Sequence, residues 1–157
     1  MSLTASSRSI PGTLRQDVLI DGKHRLITDE PEAVGGEGSA PSPHELLPAA
    51  LAACISTTLV MYARQKDWDL DRVTVDIDYD HRATPRTADV AIHITGDLTP
   101  EQLRRLEKVA AACPVHRSLC MGLAVSSQMT AQEYSDLFVT DKHARRERDR
   151  GLLIRAR

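Results

Sequence analysis

SPHELLPAALAACISTTLVMYARQKDW, residues 42–68, decides the fold. Ser42 reads as an N-cap, Pro43 as the first helical residue and Glu45 as the N3 partner of a capping box. The helix runs to about Asp67. Leu47, Ala50, Leu51, Cys54, Thr57, Thr58, Met61 and Tyr62 follow i, i+3, i+4, i+7 spacing along one side. The other side is also small and apolar until Arg64 and Lys66. Such a helix needs cover on most faces, so it is predicted to be central. Pro48 lies past the first turn, where its ring meets the carbonyl four residues back, which predicts a kink or a restart.

On the N-terminal side, residues 1–12 are small and polar and predict no regular structure. TLRQDVLI (13–20) and HRLITD (24–29) flank Asp21-Gly22, a strong hairpin signal. DEPEAVGGEGSAPSP (29–43) reads as a long irregular loop, either functional or mobile. On the C-terminal side, VTVDIDYD (73–80) and ADVAIHITG (88–96) alternate as strands. Thr99, Pro100 and Gln102 open a second helix, with Leu103, Leu106, Val109, Ala110 and Cys113 on its apolar side. Pro114 ends it. SLCMGLAVSS (118–127) predicts a last short strand, and residues 142–157 form a charged tail, read as a solvated end. The order of strands, long helix, strands, helix and strand predicts a single α+β domain over 1–157. One small sheet is too little to cover the central helix, so a homodimer sharing it is expected.

Composition narrows the function. Twenty Lys and Arg against 22 Asp and Glu give a net charge of -2, so no global attraction to nucleic acid is expected. Basic residues are not interleaved with aromatics, which make up only 3% of the chain. No window is read as a membrane span, and the N-terminus lacks the apolar core of a secretion signal. Three cysteines are too few for a secreted disulfide framework and fit a reducing, cytoplasmic setting. No CxxC, HExxH, GxSxG or phosphate-loop motif occurs, so no metal or cofactor is expected.

The cysteines carry the remaining chemistry. Cys54 lies mid-helix among Ala52, Ala53, Ile55 and Ser56. It is either a small core residue or a nucleophile, and the second role needs a thiolate. A helix restart at Pro48 would place it near free N–H groups, and Arg15, Arg25, Arg82 and Arg86 are candidate cationic neighbours. Cys113 is expected as the last residue of the second helix. There it is more mobile and more solvent-accessible than Cys54, and the dipole disfavours its thiolate. That makes it a poor attacker but a reasonable resolver. Cys120 is read as structural.

TDEPEAVGGEGSAPSPHELLPAALAACISTTLVMYARQKDW (28–68) and GDLTPEQLRRLEKVAAACPVHRSL (96–119) together resemble the two signature regions of the OsmC/Ohr family, with the likeness spanning about 17–127. The resemblance implies an intertwined α+β homodimer with cysteine-bearing helices at its centre. It implies that Cys54 attacks an organic hydroperoxide, that Cys113 condenses with the resulting sulfenic acid, and that an external dithiol or lipoyl-type reductant reopens the disulfide. It also implies a thiolate steadied by an N-terminal arginine, for which Arg15 and Arg25 are both candidates, and by a carboxylate at the helix start. The family's glutamate position falls on His44. The carboxylate here is Glu45, one residue on and so turned by about 100°. His44 and His116 are candidate polar helpers. The alternatives are a non-catalytic relative that binds a small apolar ligand or a protein partner, and a thiol sensor.

Overall fold

The computed structural model describes residues 3–122, 124–129 and 154–155. The chain divides into two compact units, Met1–Met121 and Gly122–Arg157. The first opens with an antiparallel sheet of β1 (Ala5–Ser9), β2 (Gln16–Ile20) and β3 (His24–Thr28), in chain order. Asp21 and Gly22 both take positive φ, 50° and 67°, and the Lys23 N–H closes the turn on the Ile20 carbonyl at 3.0 Å. The segment 1–12, expected without structure, supplies β1, with Ser7 opposite Val18. Its residues show no apolar alternation, because backbone pairing with the free edge of β2 makes the strand.

The loop from β3 to the first helix is organised by a carboxylate that the sequence reading passed over. Asp29 is 1% exposed. One of its oxygens accepts the Glu30 N–H at 2.9 Å. The other accepts the Glu37 and Ser39 N–H groups and the Ser39 hydroxyl at 3.2, 3.0 and 2.9 Å. A side chain at Gly36 would strike the backbone of Glu30, so only glycine lets the loop fold over that carboxylate.

α1 (Pro43–Gln65) then runs unbroken. Pro48 does not break it into two helices. The proline removes the N–H that would reach the carbonyl of His44, but His44 is exposed in the first turn, where that carbonyl is open to solvent. The Glu45 carboxylate accepts the Ser42 N–H at 2.7 Å, which closes the start of the helix. The buried seam is Leu51, Ile55, Leu59 and Ala63. It packs with Leu106 and Ala110 and with the inward row of the following strand, Val73, Val75 and Ile77. Burying side chains such as Ile55, Leu59 and Leu106 contributes roughly 1.5–3 kcal/mol each.

That seam differs from the stripe predicted above. Of that stripe only Leu51 is buried, while Ala50 and Thr57 are exposed, as are Leu47 at 38% and Met61 at 65%. A helix apolar on every face offers periodicity no way to choose, and its partners choose instead. By length and by a mean hydropathy of 1.8, α1 is also apolar enough to cross a membrane, contrary to the expectation from the sequence. Here its seam is the core of a folded unit.

β4 (Asp69–Asp80) and β5 (Thr87–Asp97) form an antiparallel pair with Val75 opposite Ile92. A bulge falls between Leu70 and Arg72, where a side chain at Gly96, with φ of 144°, would strike the Asp69 carbonyl. α2 (Pro100–Ala110) is capped in both directions, Thr99 N–H to Gln102 at 2.7 Å and Gln102 N–H to Thr99 at 3.2 Å. Leu106 and Ala110 of its predicted apolar side are buried, and Leu103 is exposed. α3 (Pro114–Met121) replaces the first half of the predicted strand over 118–127. Pro114 begins a helix as well as stopping one, and Cys120 lies exposed on α3.

Among the described residues the β1–β3 sheet makes no extensive contact with α1, α2 or α3. In the second unit, β6 (Gln128–Met129) pairs antiparallel with β7 (Ile154–Arg155). The rest of the tail, residues 142–153 and 156–157, lies outside the described residues.

The Ser39 N–H, ahead of the opposing effect of burial, and then the Ser39 hydroxyl and the Glu30 and Glu37 N–H groups hold the Asp29 carboxyl below its ordinary 3.8. A depressed carboxyl stabilises the fold above its unfolded pKa and loses that contribution as pH falls through the folded value. Asp29→Asn is therefore expected to lower the melting temperature at pH 7. The gap to the wild type should narrow below about pH 4. Thermal unfolding followed by circular dichroism across pH 2–7 checks this, and an unchanged midpoint at pH 7 contradicts it.

Candidate active site

Two cysteines 59 residues apart meet where α1 passes the start of α3. The Cys113 Sγ lies 2.6 Å from the Cys54 Sγ and donates to it. Cys54 is half-buried at the middle of α1 and borders the helix face that the core leaves open, where Ala50, Ala53 and Thr57 are exposed. Cys113 is 0% exposed and belongs to the buried cluster with Leu51, Ile55, Leu106 and Ala110. The accessibility order is the reverse of the one expected from sequence. The turn that follows α2 folds inward, so the residue before Pro114 is carried into the core.

Cys113 is also not a helix C-terminus. α2 ends at Ala110, and the Cys113 carbonyl accepts the Arg117 N–H at 3.0 Å, which makes Cys113 the N-cap of α3 with Pro114 at the first helical position. The free N–H groups of that helix start therefore face the sulfur pair. Since α1 does not restart at Pro48, the favourable field at Cys54 comes from α3 and not from its own helix.

Burial pushes the Cys54 thiol up, but the Cys113 S–H, the Val115 N–H and the Thr58 hydroxyl outweigh it, and its pKa falls below the ordinary 9.0. The single Thr58 proton is shared in role, since Oγ1 also lies 2.7 Å from the Cys54 carbonyl oxygen. Cys113 moves the other way. Burial, its bond to Cys54 and the negative charge there raise it, against the His116 and Val115 N–H groups, which lower it. Of the two sulfurs Cys54 is therefore the one that gives up its proton first, with the Cys113 thiol as a donor to it.

The other predicted site residues lie elsewhere within the unit. Glu45 is engaged at its own helix cap, which holds its carboxyl below the ordinary value through the Ser42 N–H. His44 is exposed, its ring centroid 5.3 Å from that of His81, just past the end of β4. The His116 N–H serves the sulfur of Cys113. Arg25 is 71% exposed and lies 4.0 Å from Asp17. Arg15 is half-buried, and its Nε is enclosed with no hydrogen-bond partner among the described residues. Among the described residues no arginine lowers Cys54. Sequence reasoning missed Val115, Thr58 and the start of α3; the Cys-Pro step is an N-cap and N1 signature as well as a stop signal. Among the described residues no three His, Cys, Asp or Glu side chains converge as metal ligands.

Residues 36–128 match the family model described as OsmC-like protein. A solved structure from Psychrobacter arcticus, assigned to the osmotic stress and detoxification response, is 29% identical with a TM-score of 0.63, over 75% of this chain and 88% of that one. The organic hydroperoxide resistance protein OsmC from Legionella pneumophila is 25% identical with a TM-score of 0.57, over 76% and 89%. The organic hydroperoxide resistance protein from Elizabethkingia anophelis, 19% identical with a TM-score of 0.57 over 75% and 87%, shares the fold. No curated protein matches the sequence.

Thiolate absorbance near 240 nm, followed as pH rises, is expected to show a first ionisation below 9.0 that disappears in Cys54→Ser. Cys113→Ala removes the thiol donor and is expected to move the Cys54 ionisation upward. A wild-type first step at or above 9.0 contradicts this electrostatic arrangement.

Proposed function

We propose that this chain, which belongs to the OsmC-like protein family, reduces organic hydroperoxides through Cys54 and Cys113 in a reducing, cytoplasmic setting. The observation that carries this reading is the sulfur pair itself: 2.6 Å apart, one sulfur favoured as thiolate and the other as its proton donor.

The Cys54 thiolate attacks the distal oxygen of ROOH. The O–O bond breaks, RO⁻ takes up a proton and leaves as ROH, and Cys54 becomes a sulfenic acid. The Cys113 sulfur then displaces the hydroxyl, which leaves as water, and the disulfide closes. An external dithiol returns two electrons and two protons. Ala50 and Ala53, exposed beside Cys54, and Leu47 further along the same face favour an apolar R group over hydrogen peroxide.

Two copies of the chain form the working unit in this proposal. The open face of α1 runs through Leu47, Ala50, Thr57 and Met61, and among the described residues the β1–β3 sheet makes no extensive contact with a helix. Each supplies what the other needs. Arg25 on β3 and Arg15 just before β2 are then both carried by that sheet as candidate cations for the interface.

With a dithiol reductant and a panel of peroxides, consumption of an alkyl hydroperoxide is expected to exceed that of hydrogen peroxide. Cys54→Ser should lose about 10³-fold or more in rate, by analogy with removing any activated nucleophile. Cys113→Ser should react once and fail to turn over. Equal consumption by the wild type and Cys54→Ser rejects the nucleophile, and a disulfide formed without turnover favours a thiol sensor. Sedimentation equilibrium is expected to give twice the 17.3 kDa chain mass, and a monomer at micromolar concentration rejects the shared helix.

A further inference from the structure

When the pair is oxidised, one of its sulfurs has to accept the reductant and the other has to leave. We infer that the reducing thiol bonds to Cys54 and expels Cys113. The inference rests on the cycle above for its reductive half only.

Displacement at a disulfide is close to in-line: the incoming sulfur, the attacked sulfur and the leaving sulfur share an axis. A thiol attacking Cys113 has to arrive on the side away from Cys54. Cys113 is 0% exposed and packed with Leu106 and Ala110, so that approach runs through the core. A thiol attacking Cys54 arrives beside the exposed Ala50, Ala53 and Thr57, whose short side chains leave the sulfur open. Access outweighs leaving-group chemistry here. Burial, the largest effect raising the Cys113 thiol, makes its sulfur the poorer leaving group. The cost is reduced because Cys54, once bonded to the reductant, carries no charge to repel a Cys113 thiolate. The His116 and Val115 N–H groups at the start of α3 remain to receive it.

The steps balance. A dithiol thiolate forms an S–S bond to Cys54, the Cys54–Cys113 bond breaks, and its electron pair goes to Cys113. The second thiol of the reductant then attacks the reductant sulfur of this mixed disulfide, leaving as a cyclic disulfide and freeing the Cys54 thiolate. The reductant loses two electrons and two protons; Cys113 takes one proton and solvent the other.

The test uses the full wild-type chain and no hydroperoxide. Diamide oxidises the pair, a brief pulse of N-acetylcysteine opens it, acid stops the exchange, and N-ethylmaleimide blocks free thiols. Trypsin separates the cysteines onto residues 26–64 and 109–117, which mass spectrometry reads independently. The adduct on 26–64 is expected to exceed that on 109–117 by at least about tenfold. Equal adducts, an excess on 109–117, or failure of diamide to join the two sulfurs overturns the inference. A chain that consumes no hydroperoxide yet carries the adduct on Cys54 loses the peroxidase reading and keeps this one. A working peroxidase with the adduct on Cys113 does the reverse.

Discussion

The packing of Leu51, Ile55, Leu59 and Ala63 against β4 and α2 sets how α1, α2, α3 and the β4–β5 pair fit together. It turns α1 so that one arc faces the core and another faces outward. Cys54 falls on the border between the two arcs, where a sulfur can be partly desolvated without being sealed. The same packing brings Ala110 inward, and the turn after it delivers Cys113 to the far side of the border. The sulfur contact is therefore a product of core packing. No direct signal in either cysteine segment specifies it.

The elements were largely legible because their signals are local. Asp21-Gly22 needs a backbone that few other pairs accept, and the two capping boxes mark the starts of α1 and α2 to the residue. Period-2 alternation gave β4 and β5. What failed depended on partners. β1 carries no pattern of its own, and α1 carries too uniform an apolar surface for its buried seam to stand out. The segment after Pro114 is a short apolar run, which periodicity alone does not assign to helix or strand. Asp29 escaped notice because a lone acidic residue in a Gly-rich loop looks like solvent-facing polarity until the donors around it are seen.

The site was legible in its two sulfurs and not in what surrounds them. Motif order placed Cys54 and Cys113 together, but the donors that separate their acidities are mostly backbone N–H groups and a threonine hydroxyl. Backbone groups have no residue identity, so sequence cannot announce them. Glu45 shows the converse. Its identity suggested chemistry, yet its nearest unsatisfied donor is the Ser42 N–H at the head of its own helix, and the carboxylate goes there.

Position 113 answers to two demands at once. As the residue that opens α3, it meets a requirement for which serine, threonine, aspartate or asparagine is the usual choice, and cysteine is an uncommon one. Architecture alone would be content with an oxygen. The presence of sulfur at that spot is therefore a record of chemistry written over a structural preference, and an alcohol in its place would keep the hinge of the two helices intact while silencing the electron traffic through it.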